Sequence, residues 1–158
     1  MHRLELLLPP PLIWLISGAS IYALAPSSSP AGLTNLGIAV LLATSAMAWA
    51  LAALYYFRRA RTTINPHKLK ETSALVTRGP YRYSRNAMYL ALAILLVAEC
   101  VALASLAGTL MVVGFIAYIQ RFQILPEESF LEESFGQAYL DYCQQTRRWL
   151  GAQLKKPA

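Results

Sequence analysis

Long apolar stretches alternate with short polar ones along this 158-residue chain. A helix that spans a bilayer needs about 20 mostly apolar residues, and the stretches at about 5–25 and 33–57 meet that length. Three consecutive prolines place the start of the first helix near Pro11, because proline suits the first helical turn. A cleaved signal peptide is the rival interpretation, since Ala23-Leu24-Ala25 resembles a cleavage site, but Pro26 would then follow the cut.

A third apolar run begins at Asn86 and extends to Gln120, and Glu99 is the only charged residue within it. A single helix of that length would measure about 50 Å, well beyond a hydrocarbon core of about 30 Å. The chain is therefore predicted to turn back between Glu99 and Ser105. This gives two further helices, at about 86–103 and 105–124, that form a hairpin.

The basic residues are consistent with four crossings. With four, both termini and the loop 58–85 share one face, and all 14 Lys and Arg residues lie on that face or at its boundary. The positive-inside rule then places the loop and both termini in the cytoplasm. The predicted fold is all-α, a single domain over residues 1–158 in the cell (inner) membrane. Its tail, 125–158, is predicted to form an interfacial helix that either anchors the chain or closes a site.

Composition supports the membrane class. Hydrophobic residues make up 56% of the chain, charged residues 14%, and the mean hydropathy is +0.41, whereas soluble domains carry about 25% charge. The net charge of +6 would suggest nucleic acid in a soluble protein, but here it indicates anionic lipid headgroups. We expect membrane lipids as partners, no nucleic acid and no metal site, with Cys100 and Cys143 as free thiols. No motif indicates an oligomeric state.

No Gly-x-Gly occurs, so neither a Rossmann fingerprint nor a P-loop is present. Any cofactor site must come from helix ends, the loop and the tail. A hairpin would bring Asn86 and Tyr89 to the same depth as Glu127 and Glu128. Carboxylates beside arginines and tyrosines can bind a cationic, aromatic, hydroxylated ligand. The alternative is a loop that sets topology, together with an aromatic belt.

The segment Leu75-Val-Thr-Arg-Gly-Pro-Tyr-Arg-Tyr-Ser-Arg-Asn-Ala-Met-Tyr89 precedes the hairpin, and Glu127-Glu-Ser-Phe-Leu131 and Phe135-Gly-Gln-Ala-Tyr-Leu-Asp-Tyr142 follow it. In this order they resemble the isoprenylcysteine carboxyl methyltransferase and phospholipid methyltransferase family, which are integral membrane enzymes. The resemblance implies S-adenosylmethionine as cofactor. It also implies a lipophilic acceptor dissolved in the membrane, either an isoprenylcysteine-like carboxylate or an amine-headed lipid, methylated at the cytoplasmic interface.

The resemblance assigns roles position by position. It implies cofactor contacts at Ser73, Ala74, Leu75, Val76, Tyr81, Asn86, Ala87, Met88, Tyr89 and Glu127. Glu128 is placed near the reacting centre as a catalytic residue. Arg121 is the second catalytic candidate, because Gln123 stands where the family has its substrate-side arginine. Asn86 and Ala87 stand where the family often has His and Pro, so Asn86 can form hydrogen bonds but cannot act as a base.

Two other functions fit parts of the pattern. A non-enzymatic membrane module could bind anionic lipid or a partner through the basic loop. A small transporter could use Glu99 as its coupling carboxylate, although Glu99 is predicted to lie near the outer turn. Arg147, Arg148 and Trp149 are interpreted as headgroup anchors of the tail.

Overall fold

The computed structural model describes residues 8–26, 32–60 and 74–151, and within these ranges the chain is helical without any strand. The elements are α1 (Pro10–Ala23), α2 (Leu33–Arg59), a 3₁₀ turn (Gly79–Arg82), α3 (Ala87–Ala102), α4 (Gly108–Ile119), a π turn (Gln120–Ile124), α5 (Leu125–Phe135) and α6 (Gln137–Gln145). The predicted all-α class is thus confirmed for the described part of the chain.

Two helices in these ranges are long and apolar enough to cross a membrane. They are α2 and the continuous 28-residue helix Gly108–Phe135, in which the π turn joins α4 to α5. The other two apolar helices, α1 and α3, are shorter.

Helix α1 begins where the run of prolines predicts. Pro9 has an extended backbone and Pro10 lies in the first turn, where the missing amide N–H removes no helical hydrogen bond. The indole of Trp14 donates a hydrogen bond of 3.1 Å to the carbonyl of Leu92. This bond joins α1 to α3.

Helix α2 packs chiefly on α3. The buried side chains of α2 are Ala39, Ala46 and Ala53, seven residues apart and therefore on one face. Small residues on this face let the two backbones approach closely. The other faces expose apolar side chains such as Leu41 and Leu51, a surface suited to lipid rather than water.

A short turn, residues 103–107, connects α3 to α4. The amide of Ser105 donates to the carbonyl of Cys100 at 2.9 Å, and the Ser105 hydroxyl accepts from the amide of Gly108 at 3.1 Å. A Cβ on Gly108 would meet the Cys100 sulfur, Ile21 and the Ser105 hydroxyl, each at 3.0 Å. Glycine therefore lets α1, α3 and the turn meet closely at this end of the molecule.

The fourth apolar segment was expected to end near residue 124, but its helix continues to Phe135. Pro126 lies in the first turn of α5, and proline normally breaks a helix because it lacks an N–H and its ring collides with the preceding turn. Here the π turn directly before it widens the helix, which accommodates the proline. Glu127 and Glu128 consequently lie on a continuation of the apolar helix rather than on a separate tail helix.

Candidate active site

The first contact of the site joins the start of α3 to the start of α5. The hydroxyl of Tyr89 donates a hydrogen bond to Oε1 of Glu127 over 2.6 Å. That distance is typical of a bond strengthened by the acceptor's negative charge. Two residues that lie 38 positions apart in the sequence are thus held together, and both belong to the cofactor contacts that the resemblance implies.

The second glutamate lies between two arginines. Arg85 donates through Nη2 to Oε1 of Glu128 at 2.8 Å. Arg148 donates through Nε and Nη2 to Oε2 at 3.0 and 2.6 Å, which is a two-point guanidinium–carboxylate contact. The side chains of Arg85 and Glu128 are only 12% and 14% exposed, and a carboxylate in such surroundings needs partners of this kind.

Residues 146–151, which follow α6, lie against the segment before α3; we call them the C-terminal strap. Arg85 donates its amide to the carbonyl of Arg147 at 3.0 Å, and the amide of Gly151 donates to the carbonyl of Tyr83 at 2.8 Å. At the start of the strap, the Thr146 hydroxyl donates to the carbonyl of Arg82 at 3.2 Å. The strap and the segment are thus hydrogen-bonded along their length.

Helix α6 supports the 3₁₀ turn from the same side. The hydroxyl of Tyr142 donates to the carbonyl of Tyr81 at 2.6 Å. Burial raises the pKa of Tyr142 above its ordinary value, while the charge of Arg85 opposes this. Burial likewise raises the pKa of Tyr81, and Tyr142 and the nearby Glu127 raise it further. Both phenols are therefore protonated at neutral pH, and Tyr81 lies within electrostatic range of Glu127.

An apolar cluster forms the other side of the site. Ala53 of α2, Tyr81 and Ala87 are its buried members, and Val76 and Met88 pack against them. The ring of Tyr81 also lies 5.2 Å from that of Phe57, centroid to centroid. Four of the predicted cofactor contacts share this cluster: Val76, Tyr81, Ala87 and Met88.

A hollow of about 450 Å³ borders the cluster. Leu75 and Val76 line it from one side, with Thr77 and Arg78, and Tyr56, Arg59 and Ala60 of α2 line it from the other. Its volume lies within the usual range of small-molecule pockets. Its lining includes two of the predicted cofactor positions but neither glutamate.

The remaining predicted site residues lie as follows. Asn86 directly precedes α3, and its side-chain amide donates to the carbonyl of Arg148 at 3.1 Å. Ala74 is half-buried in the non-helical piece before the 3₁₀ turn, while Ser73 lies outside the described residues. The guanidinium of Arg121 lies over the ring of Phe122, 5.4 Å from its centroid. Its catalytic role, like that of Glu128, stays a prediction.

The interpretation of Arg148 and Trp149 as headgroup anchors is corrected by these contacts. Arg148 binds Glu128, and the indole N–H of Trp149 donates to the side-chain oxygen of Gln120 at 2.8 Å. The basic and aromatic residues near this chain end favoured a surface anchor. The sequence does not show which carboxylate or amide lies within reach of them in the fold. Arg85 was missed as a site residue although it lies within the segment that carries the resemblance.

Comparison with known proteins finds a family match over most of the chain. A family model described as phospholipid methyltransferase matches residues 34–138, a range that includes α2, α3, α4, α5 and both glutamates. An uncharacterized protein of Haemophilus influenzae is 44% identical over 63 residues, which are 40% of this chain and the whole of that relative. The family model extends over more than half of the chain, and two helices in that range, α2 and Gly108–Phe135, are long and apolar enough to cross a membrane. The chain belongs to the phospholipid methyltransferase family, a family of membrane methyltransferases.

Proposed function

We propose that the protein transfers a methyl group from S-adenosylmethionine to a lipophilic acceptor dissolved in the membrane. The observation that carries the proposal is the bond between Tyr89 and Glu127, which joins the two halves of the family's segment at a helix boundary. The family match supports the reaction type. The acceptor class, an isoprenylcysteine-like carboxylate or an amine-headed lipid, follows from the resemblance.

We further propose that all four apolar segments cross the membrane. Contacts between Cys100 and Gly108 at one end, and between Tyr89 and Glu127 at the other, support an antiparallel hairpin for the last two segments. The positive-inside rule supports cytoplasmic termini and a cytoplasmic loop. A water-soluble cofactor would then enter from the cytoplasm, and the acceptor would enter sideways from the lipid.

The donor set fits an adenosyl sulfonium. A carboxylate accepts several hydrogen bonds, so Glu127 can hold an ammonium or ribose hydroxyls while it receives the hydroxyl of Tyr89. The faces of Tyr81 and Tyr89 can attract a sulfonium. Val76 and Met88 provide apolar contact for the adenine, and Asn86 can form hydrogen bonds with the adenine or ribose.

When bound, the cofactor would supply a methyl group on its sulfonium sulfur; a lone pair of the acceptor would form a bond to the methyl carbon as the carbon–sulfur bond breaks, and S-adenosylhomocysteine would leave as the neutral thioether. The protein's task is then to align the partners and exclude water. The two oxygens of Glu128 already receive guanidinium N–H groups. We therefore assign Glu128 to orienting the acceptor side of the site, together with Arg121.

Binding of S-adenosylhomocysteine, measured by calorimetry in detergent, tests the proposal. Glu127→Ala and Tyr89→Ala should each weaken binding at least tenfold, because a hydrogen bond to a charged group contributes about 1.5–3 kcal/mol. Glu132→Ala is the matched control, since Glu132 is an exposed acid on the same helix. Wild-type affinity in both site variants would refute this pocket.

Salt separates the proposal from the non-enzymatic alternative. Docking of anionic lipid by the basic loop should weaken steeply as ionic strength rises. Cofactor binding in a partly buried pocket should change little.

A further inference from the structure

We propose that Arg148 is a positioning residue of the active site: its side chain fixes Glu128 on the acceptor side and its carbonyl fixes Asn86 on the cofactor side, so that the C-terminal strap completes the site. This inference rests on the proposed function, because it concerns the same pocket. It adds a residue and a chain segment that lie beyond residues 34–138, the range that the family model matches.

The side chain of Arg148 reaches back to α5. Its Nε and Nη2 lie 3.0 and 2.6 Å from Oε2 of Glu128. The hydrogen bond to Glu128 raises the pKa of Arg148, which keeps the guanidinium charged. Arg85 binds the other oxygen of the same carboxylate, so Glu128 cannot rotate without breaking contacts to two elements.

The backbone carbonyl of Arg148 points toward the start of α3. It accepts from the side-chain amide of Asn86 at 3.1 Å and from the hydroxyl of Ser84 at 3.4 Å. The side chain of Ser84 is fully buried, and its hydroxyl oxygen also accepts a hydrogen bond from the backbone amide of Asn86 at 3.2 Å. Arg148 thus holds both the side chain of Asn86, which precedes α3, and the carboxylate of Glu128, at the start of α5.

The next residue extends the same connection. Trp149 donates to Gln120 at the start of the π turn, and both Trp149 and Tyr89 pack against the core cluster that contains Leu96 and Phe115. The strap therefore contacts three elements around the Tyr89–Glu127 pair: the segment before α3, the π turn and α5. A strap in this place can restrict Asn86 and exclude water from the pocket.

The chemistry requires arginine rather than any cation. A guanidinium presents Nε and Nη donors in a fixed fork that matches a carboxylate, whereas lysine offers a single ammonium point charge. Arg147 is the matched control. It carries the same charge at the neighbouring position, but its side chain is exposed.

The first measurement needs no ligand. Hydrogen–deuterium exchange reports the amides of Arg85 and Gly151, which bond the strap to the segment before α3. Arg148→Ala should accelerate their exchange at least tenfold, Arg148→Lys should give an intermediate rate, and Arg147→Ala should leave exchange at the Arg85 amide unchanged. The amide of Ser105, in the distant turn, is the internal reference and should be unaffected in all three variants.

The second measurement is S-adenosylhomocysteine affinity in the same variants. Arg148→Ala should weaken binding about tenfold, Arg148→Lys should recover part of the loss, and Arg147→Ala should bind like the wild type. A purely structural role would accelerate exchange at Ser105 as well, which would overturn the proposal. Equal behaviour of Arg148→Ala and Arg147→Ala in both measurements would also overturn it.

The two measurements separate this inference from the proposed function. If the wild type does not bind S-adenosylhomocysteine, the proposed function fails and the positioning role fails with it, even where exchange shows that Arg148 holds the strap. If the wild type binds and Arg148→Ala loses affinity without faster exchange at Arg85 and Gly151, the function stands and the positioning role is refuted.

Discussion

The bond between Tyr89 and Glu127 makes a prediction that does not depend on any ligand. Tyr89→Phe removes only the hydroxyl, and Glu127→Met removes both carboxylate oxygens while it keeps an unbranched side chain of similar length. A double-mutant cycle of these two changes isolates the interaction between the side chains.

The expected coupling follows from the geometry. The oxygen–oxygen distance is 2.6 Å, in the short range found for hydroxyl-to-carboxylate bonds, and both residues are partly buried. Hydrogen bonds to charged groups contribute about 1.5–3 kcal/mol. Each single variant should therefore be destabilised, and the double variant should be less destabilised than the sum by about that amount.

Unfolding in mixed detergent micelles, followed by circular dichroism, gives the four free energies. The control cycle uses Gln137 and Asp141, an exposed pair on α6 in which the amide donates to the carboxylate at 2.9 Å. An exposed pair one helical turn apart should couple by only about 0.2–0.5 kcal/mol.

The reasoning is refuted if the Tyr89 and Glu127 effects add within about 0.5 kcal/mol, as independent sites do. Such a result would mean that the starts of α3 and α5 are not joined through this bond. The proposed cofactor pocket would then lose the contact on which it is built.

Two further predictions concern the turn that presents Tyr81. Gly79 and Gly136 both have positive φ, +63° and +51°, but a Cβ on Gly79 would overlap the ring of Tyr56, whereas one on Gly136 meets no atom. Gly136→Ala should therefore lower the free energy of unfolding by about 1–3 kcal/mol through backbone strain. Gly79→Ala should lower it by the same strain plus about 1–3 kcal/mol from the overlap with Tyr56. Both variants are measured in the same unfolding assay, and equal losses would contradict the predicted overlap. Burial raises the pKa of Tyr142 in the folded state, so the contribution of this phenol to stability should be constant up to its unfolded-state pKa of about 10 and should fall above it, because only the unfolded phenol ionises there. Tyr142→Phe should therefore make the fall in stability above about pH 10 less steep, and an unchanged slope would contradict the assignment.

The helix positions could be predicted from the sequence where length alone forced them. The third apolar run was too long for one crossing, so a turn was required, and the structure places α3 at Ala87–Ala102 with a turn at 103–107. The continuation through Pro126 could not be predicted in this way. Proline indicates a helix end, and nothing in the local sequence indicates a π turn that accommodates it.

The site could be predicted in part. The predicted hairpin brought Asn86 and Tyr89 to the same depth as Glu127 and Glu128, and the structure adds the hydrogen bond between Tyr89 and Glu127. Arg148 could not be identified, because its contact with Glu128 is a tertiary one between residues 20 positions apart. A basic and aromatic chain end is typical of a headgroup anchor. The sequence reads the same whether the arginine points outward or binds a buried carboxylate.

The two adjacent glutamates have different kinds of hydrogen-bond donor: a phenol for Glu127 and two guanidiniums for Glu128. Neighbouring residues on a helix point about 100° apart, and Glu127 and Glu128 accordingly contact different partners. Glu127 receives its hydrogen bond from a neutral phenol rather than from a cation. Glu128 receives two guanidiniums, which more than balance its charge and reduce its repulsion of Glu127. The chain thus keeps one carboxylate for binding and neutralises its neighbour, and the strap supplies one of the two cations that make this division possible.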